Sequence, residues 1–158
     1  MAAERSEVAR LRHTGAQRIG LDGTGTFNQT GGTNSVGGDL IVGQNTGAQG
    51  TYTIGGSGSQ LAVTGNVVVA KYAGSTGTVN VQGGSVTAAN MTVNAGGTLN
   101  YTGGTFSLGG GGGTLTTSVG GNVNLGGGGT LVVNANVVNN GTFRVTGTLA
   151  TYTGTFAN

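Results

Sequence analysis

Apolar and polar residues alternate along most of this chain, in short runs that end in Gly or Asn. In "GTFNQTGGTNSVGGDLIVG" the apolar positions are Phe27, then Val36, then Leu40 with Val42. In "GTVNVQGGSVTAANMTVNAG" they are Val79 with Val81, then Val86, then Met91 with Val93. A period of two with turn residues at each break predicts strands, and no helical period competes with it. Each stretch therefore predicts three short strands.

A coarser repeat lies over the fine one. The phrase Gly-Thr-apolar recurs at Gly25, Gly50, Gly77, Gly97, Gly113, Gly129, Gly141 and Gly154, and its threonines are 25, 27, 20, 16, 16, 12 and 13 residues apart. Periods of this size mark a solenoid. Three short strands per turn predict an all-β fold, a right-handed parallel β-helix (β-solenoid) whose ladders lie about 4.8 Å apart. Paired glycines turn its corners, where positive φ is cheap. The shorter spacings after Gly113 predict a coil that uses the phrase more than once. The glycine runs 109–113 and 126–129 read as loose corners.

The first twenty residues differ in kind. Arg5, Arg10, Arg12 and Arg18 are four of the six basic residues, and Glu4 and Glu7 are two of the four acids. Ala, Glu and Arg favour helix, Ala3, Val8 and Leu11 can share a stripe, and Gly15 can stop it. The expectation is an amphipathic helix over residues 2–13, acting as cap or arm in an N-terminal segment 1–20, followed by a solenoid domain 21–158. No aromatic residues interleave with these arginines, so they read as a solvated face with no nucleic-acid role.

Composition removes most enzyme classes. Charged residues are 6% of the chain and Gly is 37 of 158 residues, while Cys is absent and His13 is the one histidine. Disulfides, thiolate metal sites and histidine clusters are excluded. Asp22 and Asp39 are the acids of the repeat region, too few for the carboxylate sets of polysaccharide lyases and hydrolases, although adjacent coils could bring the two together. "GGSGSQ" at 55–60 has Gln60 where a calcium-binding nonapeptide repeat needs Asp, and no Gly-rich stretch ends in a phosphate-loop Lys. The chain is expected to be no enzyme and to carry no cofactor. No apolar run is long enough to span a membrane. The N-terminus lacks a signal-peptide core, so export would use a signal outside this sequence or another route.

Stretches such as "GTFNQTGGTNSVGGDLIVGQNTGAQGTYTIGG" and "GGTLNYTGGTF" resemble the repeats of bacterial surface β-solenoids, including autotransporter passenger domains and secreted fibre proteins. The resemblance covers roughly residues 23–158. It implies an extracellular or cell-surface location and a structural or adhesive role as adhesin, stalk or matrix fibre; the partners expected are further copies of the chain, from the assembly interface given below, and surface glycans on the outward face.

Two sets of residues follow as candidates. With Phe27, Tyr52, Val79, Leu99 and Leu115 inward, their neighbours face outward: Thr26 and Asn28, Thr51 and Thr53, Thr78 and Asn80, Thr98 and Asn100, Thr114 and Thr116. This ladder is expected to be structural; the alternative is an ice-binding face that orders water. The second set is an assembly interface. "GTFAN" at the C-terminus echoes "GTFNQ" at 25–29, so Phe27 of one subunit would meet Thr155, Phe156 and Asn158 of the next, head to tail. A heterologous contact that does not close grows into a filament. The alternative is that the sequence is a segment of a longer adhesin or passenger solenoid.

Overall fold

The computed structural model describes residues 10–127, 131–147 and 149–158. Their strands follow the chain in coils of three. The first coil is β1 (Arg10–His13), β2 (Gln17–Ile19) and β3 (Thr24–Gln29), and the second is β4 (Thr33–Val36), β5 (Leu40–Val42) and β6 (Gln49–Ile54). Next come β7 (Gln60–Val63), β8 (Val67–Val69) and β9 (Thr76–Val81), then β10 (Ser85–Ala88), β11 (Met91–Val93) and β12 (Gly97–Tyr101). The fifth coil is β13 (Gly104–Leu108), β14 (Thr114–Thr117) and β15 (Asn122–Leu125), and the sixth is β16 (Leu131–Asn134), β17 (Asn136–Asn139) and β18 (Thr142–Val145). β19 (Leu149–Thr153) and β20 (Phe156–Ala157) begin another.

Every third strand pairs, in parallel, to give three sheets that form a β-solenoid. Sheet A runs β1-β4-β7-β10-β13-β16-β19, sheet B runs β2-β5-β8-β11-β14-β17-β20, and sheet C runs β3-β6-β9-β12-β15-β18. The strands that the alternation predicted around Phe27, Val36, Leu40, Val79, Val86 and Met91 are present as β3, β4, β5, β9, β10 and β11.

The core is a set of inward rows. In sheet C, Phe27, Tyr52, Val79, Leu99, Val123 and Phe143 share one register position. In sheet B the row is Leu40, Val67, Met91, Leu115 and Val137, and in sheet A Leu61, Val86, Phe106 and Val133. All but the terminal Phe27 and Phe143 are fully buried. Side chains from three sides meet on one axis, so a single narrow column excludes water along the coils.

The repeated glycine has a cause that the sequence pattern did not reveal. Gly25, Gly50, Gly77 and Gly97 stack in one row of sheet C, and Gly121 and Gly141 precede the aligned residues Asn122 and Thr142. Gly50, Gly77, Gly97, Gly121 and Gly141 are not among the positive-φ residues. They are needed for space at the corner from sheet B to sheet C, where each coil passes against a carbonyl of the coil before it. A Cβ on Gly50 would lie 2.2 Å from the Ile19 oxygen, on Gly77 2.1 Å from the Val42 oxygen, and on Gly121 2.4 Å from the Val93 oxygen. Positive φ falls instead on the residue that leaves sheet B: Gly20 at 71°, Gly43 at 75° and, in the third coil, Ala70 at 56°.

Two expectations need correction. Arg10–His13 is a strand paired with Thr33–Val36, where the sequence suggested the end of a helix, and Gln17–Ile19 pairs with Leu40–Val42. The solenoid therefore includes residues assigned to the N-terminal arm, and the remainder of the expected helix, residues 2–9, lies outside the described residues. A pairing edge on β4 outweighs the weak helix propensity of a short segment. Thr114, with Thr116, belongs to β14 in sheet B, so the later phrases mark different corners; sheet C continues through Asn122 and Thr142. The run that starts at Gly109 is a corner, with a 3₁₀ turn at Gly109–Gly111.

Candidate functional site

The outward row of sheet C is an amide ladder. Asn28, Thr53, Asn80, Asn100, Asn124 and Arg144 share its position. Asn80 Nδ2 donates to Thr53 Oγ1 at 3.2 Å, Asn100 Nδ2 to Asn80 Oδ1 at 2.9 Å, and Asn124 Nδ2 to Asn100 Oδ1 at 2.9 Å. The neighbouring row is Thr26, Thr51, Thr78, Thr98, Asn122 and Thr142. Eight of the ten ladder residues expected from the sequence thus lie on this face, and Thr114 and Thr116 do not.

A second ladder, missed in the sequence, follows the corner from sheet A to sheet B. Asn66 N donates to Asp39 Oδ1 at 2.8 Å, Asn90 Nδ2 to Asn66 Oδ1 at 3.0 Å, and Thr114 N to Asn90 Oδ1 at 3.0 Å. Thr155 N continues it onto Asn136 Oδ1 at 3.0 Å. The signal was available: each of these residues stands immediately before the first apolar residue of a sheet B strand. Asp22 accepts from Asn45 at the other end of sheet B. The two aspartates therefore occupy different corners, and each accepts from an asparagine of the following coil.

The assembly residues occupy opposite ends. Phe27, half-buried on the edge strand β3, stacks on Tyr52 with ring centroids 5.0 Å apart and planes at 16°. At the other end Phe156 is 51% exposed and meets Phe143 edge-on at 5.2 Å. Thr155 is held by Asn136, and Asn158 Oδ1 accepts from Asn139 Nδ2 at 2.6 Å. The expected register of Phe156 over Phe27 is corrected, because β20 belongs to sheet B and β3 to sheet C. Along the axis Phe156 is aligned with the row that begins at Gln17, while Phe143 shares Phe27's row.

The core becomes polar near its first coils. Asn34, 1% exposed, donates from Nδ2 to Gln17 Oε1 at 2.8 Å and Tyr52 Oη at 3.0 Å. The Tyr52 hydroxyl donates to Gln29 Oε1 at 2.6 Å. Burial pushes the Tyr52 hydroxyl up to about 12, against a smaller opposing effect of the Asn34 bond. Burial also raises Tyr101.

The native state thus keeps a proton that the unfolded chain releases at lower pH, so stability falls as pH rises from about 10 towards 12. Denaturant titrations across this range will show the fall, and a smaller one in Tyr52→Phe. An equal slope in both proteins would remove Tyr52 as its cause.

Among the described residues no group of three or more His, Asp, Glu or Cys is placed to hold a metal ion. No helix among them is long and apolar enough to cross a membrane. Comparison with models of known families, with curated proteins and with solved structures finds no match to this chain.

Proposed function

We propose that this chain is a structural, non-enzymatic β-solenoid subunit of the bacterial surface or extracellular matrix, stacked head to tail on further copies into a filament. The observation that carries the reading is the match between the two end faces. Sheets A and B run from the first described coil to the last with the same strand polarity, sheet C ends one strand earlier, and partly exposed apolar side chains stand at each end. One face presents Leu11, 39% exposed, beside Phe27, and the other presents Phe156, 51% exposed, and Val145, 45% exposed.

Among the described residues sheets A and B have seven strands and sheet C has six, so a junction that pairs β19 on β1 and β20 on β2 of the next copy sets Phe143 and Phe27 two strand spacings apart, about 9.6 Å.

The outer ladders also favour a structural role over ice binding. Asn80, Asn100 and Asn124 use side-chain hydrogen-bonding groups on one another, so the ladder stiffens the coil rather than presenting a free amide array. The asparagine chain and the corner ladder tie the second, third, fourth and fifth coils together, at about 0.5–1.5 kcal/mol net for each bond.

Electron microscopy and sedimentation of the purified protein test this reading. Fibres are expected, with loss of fibres and unchanged β-type circular dichroism in Phe156→Asp and Phe27→Asp. A monomer at high concentration over a range of salt would refute the filament.

A further inference from the structure

The outer face of sheet A has a feature distinct from the end faces. A hollow of about 220 Å³ opens where the sheet turns towards sheet B, lined by Arg12, His13, Thr14, Ser35, Ala62 and Thr64 among others. Ser35 and Ala62 follow Arg12 in the same outward row. Small side chains therefore form the floor beside a long cationic one.

Among the described residues the outward polar groups here bond to no other side chain. Arg12, Thr14, Ser35 and Thr64 make no side-chain hydrogen bond or ion pair among the described residues. His13 stands in the inward row with the buried Val36 and Val63, so its enclosed Nε2, which has no hydrogen-bond partner, belongs to the core and not to the outward floor. Arg10 and Arg12 project from one face of β1, and with Arg18 they place three of the five described cationic side chains in the first coil. Arg18 is turned to Gln44, with Nε 2.9 Å from its Oε1. Asp39, the acid nearest in sequence to Gly37, is engaged by Asn66 N at 2.8 Å.

We propose that this hollow binds a pendant oxyanion, a sulfate or carboxylate group, of an acidic polysaccharide lying along the outer face of sheet A. The chemistry comes from the guanidinium fork, which matches a planar or tetrahedral oxyanion, with hydroxyl donors beside it. The size selects a single group, since pockets that enclose a whole small ligand have about 300–1,000 Å³.

The rest of the polymer has a surface to follow. Thr33, Ser35, Ser85, Thr87, Thr105 and Ser107 form outward rows on sheet A. Hydroxyl rows at strand spacing suit a sugar chain, and the hollow is lined by no Phe, Tyr or Trp on which a nucleobase could stack. The proposal does not rest on end-to-end stacking: it predicts binding by single subunits as well.

Calorimetric titration at low ionic strength tests it, with dextran sulfate and polygalacturonate as probes and neutral dextran, inorganic sulfate, single-stranded DNA and anionic vesicles for comparison. Saturable binding to at least one acidic polysaccharide is expected, with competition by inorganic sulfate and none detectable with neutral dextran. Arg12→Ala weakens it by about tenfold or more, while Arg144→Ala, at the far end of the solenoid, leaves it unchanged. Both variants keep the parent's unfolding midpoint. Equal weakening by the two substitutions, equal binding of neutral dextran, or tighter binding to DNA or vesicles would overturn the proposal.

Discussion

Gly77→Ala will unfold the middle of the solenoid, with a loss of at least about 3 kcal/mol, at or beyond the upper end of ordinary overpacking. The added Cβ would stand 2.1 Å from the Val42 oxygen, 2.8 Å from Ala70 N and 2.9 Å from Val69 Cγ1. Two of these are backbone atoms, and a shift of either breaks pairing between neighbouring coils. Ala70 N donates to Val42 O at 2.8 Å, so the same movement would strain that bond. Gly58→Ala is the control, because nothing lies within 4 Å of a Cβ there and its φ is not positive. Denaturant unfolding of the two variants decides the matter: near-equal stabilities would mean that the corner can open without loss, and space would not explain the glycine row.

Phe106→Ala will cost about 3–5 kcal/mol, the range for an aromatic side chain removed from a packed core. Phe106 is 1% exposed and lies with Tyr101 across the column, ring centroids 5.9 Å apart. The column is narrow, so few neighbouring residues can close the space. A solenoid couples each coil chiefly to its two neighbours. The loss should therefore separate the coils before β13 from those after it, and hydrogen exchange should show protection falling first around β10, β13 and β16. A uniform fall over all coils would indicate a single cooperative unit instead.

Alternation along the chain was enough to assign three strands to a coil and to place Tyr52, Val79 and Leu99 inside with Thr51, Thr78 and Thr98 outside. The reason is local: a strand side chain's face depends on its parity within its own strand. The same parity made the asparagine row visible before any pairing was known.

Pairing is not local, and there the tertiary structure decided. Which strand lies above which depends on corner length, and Gly, Asn and Ser tolerate corners of many lengths. Thr114 repeats the local phrase of Thr98 yet stands in sheet B, and Phe156 repeats that of Phe27 yet lies one sheet away. Asp22 and Asp39 were separated by the same corner geometry, and the strand at Arg10–His13 exists because β4 offers it an edge. Side-chain parity, inward or outward, was thus determined by the sequence alone. The partner of each strand, the carbonyl that excludes a Cβ at Gly77, and the hollow beside Arg12 arise only when one coil closes on another, because each is made by residues of different coils.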